Sequence, residues 1–338
     1  MPKVVHVVTT RRFAGVERYV ADVAVETAAH GWDVAVVGGN PAAMPRTLDG
    51  RVRWLPGGSS AEAFFSLARA GRVDVCHAHM TKAEAVALAA RPLHRAPVVA
   101  TRHFAAPRGK TRLGRVLAPW IARGLARQLA VSEYVAGKLE APAAAVLPNA
   151  VHARPLLWQQ ESRVVLVLQR LEPEKDTLIA LRAWEESGLA GEGWTMRVVG
   201  DGSERADLEQ WVGEHGVAGV EFGGWSDEPD AELARASVLL APGGQDSSAL
   251  AVLEAMSAGV PVVAAAAGGH LESIGRIGDM PSFAPGDAVA AAAGLRAVSK
   301  DSFRAELSRR VREAALARMT LQEHVERLLE EYAKAGAS

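Results

Sequence analysis

Two carboxylates, Asp246 and Glu254, stand eight residues apart in the segment Asp246-Ser-Ser-Ala-Leu-Ala-Val-Leu-Glu254. Eight residues is a little over two helical turns, so the pair can reach two ends of one extended ligand. The first carboxylate sits at the end of a loop and the second inside a short apolar helix that stops at Gly259 and Pro261. The run from Pro261 to Ala267 then reads as a buried parallel strand. A loop, a helix N-terminus and a return strand make a site for a phosphorylated molecule. The plainer alternative makes Asp246 a helix cap and Glu254 a solvated helix carboxylate.

Two cations add to this. Arg170 and Lys175, in Arg170-Leu-Glu-Pro-Glu-Lys175, follow an apolar strand, and Pro173 stiffens the loop between them. Such a pair clamps a diphosphate, or else forms a solvated charged turn. At the end of the first strand, Gly15 stands where strand becomes helix, which lets an anion approach the backbone; an ordinary glycine turn reads the same way. Gly200-Asp-Gly202 lacks the third glycine of a dinucleotide fingerprint, so a tight strand-to-helix turn accounts for it. Trp225, after Phe222-Gly-Gly, offers a flat face to a nucleobase or packs into a core. His77, His79 and His103 lie near strand ends, and His103 is suited to orient a sugar, whereas His6 and His94 read as structural. Without multiple cysteines or a helical His-x-x-x-His pair, no metal site is expected.

The elements that position these residues alternate. Strands are predicted at Lys3 to Thr10, Trp32 to Gly38, Val73 to Ala78, Pro97 to Thr101, Gln128 to Val131 and Ala144 to Leu147. Helices intervene at Gly15 to His30, Ala61 to Ala70, Lys82 to Ala90 and Arg112 to Leu129. A second half restarts the pattern, with strands at Arg163 to Leu168, Thr195 to Gly200, Gly219 to Phe222, Val238 to Ala241 and Val260 to Ala266. Helices are predicted there at Asp176 to Glu186 and Ser203 to His215. The order predicts an α/β protein of two Rossmann-like, doubly wound parallel-sheet domains facing a cleft. The expected domains are 1–150 and 156–316, joined at the proline-rich Pro148 to Pro155, with 317–338 as a C-terminal helix crossing back to the first. Leu321, Val325, Leu328, Leu329 and Tyr332 give that helix its apolar stripe.

With 338 residues, 49% hydrophobic and a formal net charge of −1, the chain is a globular protein and no nucleic-acid partner is expected. The single cysteine, Cys76, rules out an internal disulfide, reads as a buried inert thiol and fits a cytoplasmic setting. The N-terminus reads as a strand with no signal peptide, and no apolar run reaches the ~20 residues of a membrane span. Arg108, Lys110, Arg112, Arg115, Arg123 and Arg127 lie among Leu113, Val116, Leu117, Trp120 and Ile121. This basic amphipathic stretch, 108–129, reads as a surface helix or as a peripheral contact with the inner membrane face.

Taken together, these motifs resemble the retaining nucleotide-sugar glycosyltransferases of group 4, which have the two-domain type-B fold. The resemblance runs over nearly the whole chain. It is carried by Ala14-Gly15-Val16-Glu17, Ala100-Thr-Arg-His103, Pro148-Asn149-Ala150-Val151 and Gln169-Arg170-Leu171-Glu172-Pro173-Glu174-Lys175-Asp176. Gly200-Asp-Gly202-Ser-Glu-Arg205, Phe222-Gly-Gly-Trp225, Asp246 to Glu254 and Gly268-Gly269-x-x-Glu272 complete it. The resemblance implies that Arg170 and Lys175 hold the donor diphosphate, that Glu254 binds the ribose hydroxyls, and that Asp246 faces the donor sugar. It implies that Ser248, Ala249 and Leu250 line sugar and phosphate through backbone N–H groups, that Gly202 belongs to the donor site, and that Trp225 flanks the base. Gly15 would admit the acceptor-side loop to the phosphate, and His103 would contact the transferred sugar.

No metal or other cofactor is implied, and the partners are a nucleotide-sugar donor and a hydroxyl acceptor. Departures from the family are Asp246 for its usual Glu, Ser247-Ser248 for Gly-Phe, His152 for Asp, and Ala14, Ala150, Gln169 and Asp176 for glycines. Two other readings stay open: a non-catalytic nucleotide-sugar-binding module, and a sugar-nucleotide epimerase on the same fold.

Overall fold

The computed structural model describes residues 1–109, 112–247, 249–275, 277, 280–318 and 320–336. The chain divides into two compact units: Met1–Asn149 together with Leu321–Ser338, and Ala150–Thr320. Among the described residues, each unit is built on one parallel sheet with helices on its faces, the α/β class expected.

In the first unit the strands are β1 (Lys3–Val8), β2 (Asp33–Gly38), β3 (Arg53–Leu55), β4 (Val75–His79), β5 (Val98–Arg102), β6 (Arg127–Ala130) and β7 (Ala145–Val146), in the order β3-β2-β1-β4-β5-β6-β7. Valine-rich runs form β1, β2 and β5 because β-branched side chains fit a pleat buried on both sides. Side chains alternate between the faces. Val4 and Val8 meet the helices Gly15–Ala29 and Leu321–Lys334 on one face, whereas Val5, Val7 and Cys76 meet Ser60–Ala70 and Thr81–Ala89 on the other. Leu321, Val325, Leu328 and Tyr332 are buried in the first of these cores, so the last helix completes the sheet's cover.

The second unit carries β8 (Val164–Leu168), β9 (Thr195–Val199), β10 (Val220–Gly224), β11 (Val238–Ala241), β12 (Val262–Ala265) and β13 (Ser282–Phe283), in the order β10-β9-β8-β11-β12-β13. In each sheet the winding reverses once, between β1 and β4 in the first and between β8 and β11 in the second. Ligands of such sheets bind beyond the carboxyl ends of the strands at these reversals.

The predicted helix from Arg112 to Leu129 ends at Gly124, a poor helix former, and β6 begins at Arg127. The helices Ala288–Val298 and Asp301–Arg318 carried no expectation. Alanine fills most of the first, which blunts its apolar stripe.

Candidate functional site

In the second unit, three strand ends deliver side chains to one place. Gln169 to Asp176 leaves β8 through a short 3₁₀ turn, Pro173–Lys175, and then enters the helix Thr177–Ser187. Pro242 to Ala249 leaves β11 and enters the helix Leu250–Ser257. Ala266 and Ala267 leave β12 and enter the helix Gly268–Ile274.

Lys175 Nζ lies 2.6 Å from Asp246 Oδ2, and His270 Nε2 lies 3.4 Å from the same oxygen. The other oxygen, Asp246 Oδ1, accepts the Ala249 N–H at 3.2 Å. Burial alone would push the Asp246 carboxyl up; Lys175 and His270 outweigh it and hold it well below the usual carboxylate range. Asp246 therefore keeps a full negative charge beside a cation. It also braces the turn before the helix Leu250–Ser257, but the N-cap of that helix is Ala249, so Asp246 is a turn brace and not the helix cap of the plainer reading.

The backbone around it is tight. Ala249 sits at φ 48, a conformation that costs a non-glycine residue about 1–3 kcal/mol and collects at functional turns. Gly268, at φ +55, lies so close to the Asp246 carbonyl that a Cβ there would meet its oxygen at 2.5 Å. The neighbouring Gly269 N–H donates to that same carbonyl at 2.7 Å. The two glycines thus let the β12 turn pack under the Asp246 loop.

Arg170 is half-buried and pairs with Glu174 at 2.6 Å. Gln169, one of the residues standing in for a family glycine, uses its side chain to tie the Lys175 carbonyl (3.0 Å) and Thr177 Oγ1 (2.9 Å). Asp176, another such replacement, takes φ 51, the left-handed conformation glycine usually supplies and Asp tolerates. Gly202 packs against the Leu171 carbonyl, where an added Cβ would lie 2.2 Å away, so this glycine serves a tight turn.

Glu254 is buried, and its Oε1 accepts from Arg154 Nη2 at 3.1 Å. Arg154 Nε in turn donates to Asp230 at 2.7 Å. Trp225 is 50% exposed, its Nε1 donating to Asp227. The Ala249 N–H is spent on Asp246, Leu250 opens its helix, and Ser248 lies outside the described residues.

Neither His270 nor Arg154 stands out by type or spacing in the sequence. His270 occupies a variable position of Gly268-Gly269-x-x-Glu272, and Arg154 sits in a stretch read only as a linker.

The first unit gathers a different set. On β1 and β4, His6, His77 and His79 share the face of Val4 and Val8, and His103 follows β5 on the same face. His6 Nδ1 lies 3.1 Å from His79 Nε2, and His79 Nδ1 lies 3.1 Å from His103 Nε2. His77 bonds Tyr332 through Nδ1 (2.7 Å) and Thr101 through Nε2 (2.8 Å). His324 Nδ1 donates to the Pro148 carbonyl (2.8 Å), so its Nε2 accepts from Tyr19 Oη at 2.8 Å.

Burial drives His6 and His103 down to about 3 and His324 to about 4, and His77 and His79 lie well below their ordinary value, so all five rings are neutral. His94, as expected, is structural: Nε2 bonds the Ala87 carbonyl and Nδ1 accepts from Ala96 N–H. Gly15 is the exposed first residue of its helix, and Glu17 turns back to accept the Ala14 N–H at 2.9 Å. Met80, just past His79, holds φ 72, a second strained point at a strand end.

The basic stretch narrows in the structure. Arg108 is buried against Glu84 and Glu140, and Arg127 pairs with Glu331, so neither offers charge to a surface. On the helix Arg112–Gly124, Arg112, Arg115, Val116, Leu117, Trp120 and Arg123 are exposed, Trp120 by 72%. Among the described residues, no helix is long and apolar enough to cross a membrane.

Comparison with known proteins accords with this geometry. Residues 150–318 match the family model described as glycosyl transferases group 1, and residues 13–154 match that of glycosyltransferase family 4. The 2-deoxystreptamine glucosyltransferase of Streptomyces kanamyceticus is 34% identical over 148 residues, which is 43% of this chain and 38% of that protein. An exopolysaccharide phosphotransferase of Streptomyces coelicolor is 36% identical over 131 residues, covering 37% of this chain and 14% of that protein. The match thus spans well under two thirds of either relative.

Among solved structures, Anabaena HepE in complex with UDP and glucose aligns with a TM-score of 0.80 at 19% identity, over 98% of this chain and 100% of that one. TarM aligns with a TM-score of 0.81 at 11% identity, over 98% and 99%. At these identities the likeness to solved structures is one of fold.

Proposed function

The chain belongs to the glycosyl transferases of group 1, with the type-B fold, and from that premise we propose that it transfers a sugar from a nucleoside diphosphate to a hydroxyl acceptor, retaining anomeric configuration, without a metal. The observation that carries the proposal is the Lys175–Asp246–His270 cluster, with Arg170 on the Lys175 loop, beyond the carboxyl ends of β8, β11 and β12.

In this reading the donor diphosphate competes with Asp246 for Lys175 and with Glu174 for Arg170. Positive charge already in place then stabilises the charge that grows on the leaving group. Asp246, released in part from Lys175, accepts from a hydroxyl of the sugar. Glu254, oriented by Arg154, accepts from the ribose hydroxyls, and Trp225 lies along the base. Leu250 supplies close backbone approach, while in the first unit Gly15 is open to a phosphate and His103 is open to a sugar oxygen. The departing phosphate oxygen takes the acceptor's proton.

UDP-glucose is the first donor to try, because HepE was crystallised with UDP and with UDP-glucose. The similarity to a 2-deoxystreptamine glucosyltransferase supports starting with polyhydroxylated small acceptors. A thermal-shift panel of UDP-, GDP- and dTDP-sugars reads donor binding, since a ligand of the native state raises Tm by mass action. Proton couplings at the product's anomeric carbon read retention. A folded protein stabilised by none of these donors overturns the proposal, binding without turnover makes the chain a nucleotide-sugar-binding module, and an inverted product removes retention.

The exposed face of the helix Arg112–Gly124 supports a further part of the proposal, peripheral contact with an anionic membrane surface. Co-sedimentation with anionic but not neutral vesicles, reduced by Trp120→Ser, is the expected result; equal recovery with both kinds removes this part.

A further inference from the structure

The histidines of the first unit form a hydrogen-bonded row. Strand alternation brings His6, His79 and His103 to one face, and two bonds of 3.1 Å join them in that order. Each is buried and neutral. A neutral imidazole has one N–H and one lone pair, so it donates through one nitrogen and accepts through the other. His79 uses both nitrogens, which forces one polarity along the whole row.

The end of the row decides which polarity. His6 Nε2 is buried with no hydrogen-bond partner. If the bonds pointed from His103 toward His6, that nitrogen would carry an orphaned N–H in the core. In the opposite sense it carries only an unused lone pair. Orphaned buried donors are the rarer and costlier of the two. The bonds therefore run from His6 Nδ1–H to His79 Nε2 and from His79 Nδ1–H to His103 Nε2. The His103 proton is left on Nδ1, for which the structure shows no hydrogen-bond partner among the described residues.

We propose that His79, held by His6, is a positioning residue that fixes His103 as the Nδ1–H tautomer, so that His103 meets its ligand as a hydrogen-bond donor and never as a base. The inference rests on the reading of His103 as a ligand contact given under Proposed function. The ligand group it fits is an oxygen acceptor, a sugar hydroxyl or a phosphate oxygen. The Nε2 lone pair is already taken by His79, so His103 has nothing with which to remove the acceptor's proton. Free histidine in water favours the other tautomer, Nε2–H, so the row works against the ring's own preference.

A competing use of the same rings is metal binding, because ligand nitrogens of His6, His77 and His79 lie within 4.8 Å of one another. The two uses exclude each other at His79, whose one lone pair, on Nε2, already accepts from His6 Nδ1–H.

Two-bond ¹H–¹⁵N correlation spectra of histidine-labelled protein read each tautomer directly, with His103 assigned from His103→Gln. The expected result is Nδ1–H on His103 in the wild type. His79→Leu should return it to Nε2–H and lower kcat/KM for the donor about tenfold, the effect of one hydrogen bond. His79→Asn, whose amide N–H takes the place of Nδ1–H, should restore both readouts.

An Nε2–H tautomer at His103 in the active wild type overturns the proposal without any variant. So does an unchanged tautomer in His79→Leu, or zinc bound in stoichiometric amount through His6 and His79. Wild-type turnover by His103→Ala would instead remove the ligand contact itself, a failure of the functional reading distinguishable from a wrong tautomer.

Discussion

Lys175 Nζ and Asp246 Oδ2 lie 2.6 Å apart, joining a loop that leaves β8 to one that leaves β11. The side chains are 15% and 14% exposed, so the pair is only weakly screened. In the proposed mechanism the cation that must hold a leaving diphosphate is already held by a carboxylate, and its position is set before any donor arrives.

Removing the cations should therefore cost turnover more than folding. Arg170→Ala and Lys175→Ala are each expected to lower kcat by about 10²–10³-fold, the usual effect of losing one preorganised group opposite developing charge. Both variants should retain the wild-type far-ultraviolet dichroism. Near-normal kcat in both would take the clamp out of the mechanism.

Acid should weaken the pair in a defined window. Asp246 is depressed in the folded state, so its contribution to stability is complete above the unfolded carboxyl value of about 4 and is lost as pH falls through the folded value. The stability gap between wild type and Asp246→Asn, measured by urea unfolding, should be flat from about pH 7 to pH 5 and shrink below about pH 4. A gap that widens on acidification would show that Lys175 and His270 do not hold the carboxylate charged.

Shifting the carboxylate by one methylene tests specificity. Asp246→Glu, the family's usual residue, is expected to change the ranking of donor sugars with little change in Tm, because a site that pairs with a hydroxyl discriminates against ligands that leave it unpaired. Asp246→Ala should lower activity with every donor. Full activity and unchanged ranking in Asp246→Ala would leave Asp246 only its role in the turn, through the Ala249 N–H.

Gly268→Ala places a Cβ 2.5 Å from the Asp246 carbonyl oxygen at φ +55. It should destabilise the protein by about 1–3 kcal/mol and lower kcat/KM as the Asp246 loop shifts. Equal urea midpoints for variant and wild type would show that the turn relaxes freely.

Transfer should survive EDTA, in keeping with the proposal that side-chain cations stand opposite the leaving diphosphate. Activity abolished by the chelator and restored by Mg²⁺ or Mn²⁺ would sink that part of the mechanism.

Much of the fold was legible because valine runs and helix-period stripes alternate so regularly; Val238–Ala241 has the predicted bounds. The cations, Asp246 and Glu254 were legible from type and spacing. What spacing could not show was pairing. Nothing in the segment Arg170 to Lys175 says that Asp246 is the partner of Lys175, or that Arg154, a hundred residues upstream, orients Glu254. His270 was invisible because its role depends on the turn of β12 under β11. The substitutions for family glycines at Gln169 and Asp176 became intelligible only from side-chain bonds and a backbone angle.

The placement of the helix Leu321–Lys334 has a consequence for biosynthesis. Its buried apolar residues, Leu321, Val325, Leu328 and Tyr332, belong to the core of a unit whose other residues end at Asn149. A ribosome delivers that core in two instalments, separated by the whole of Ala150–Thr320. Domains generally fold in the order in which they emerge, but here the later unit is contiguous and can close first. The earlier one lacks part of its core, the part that Leu321–Lys334 supplies beside Gly15–Ala29, until that helix leaves the tunnel.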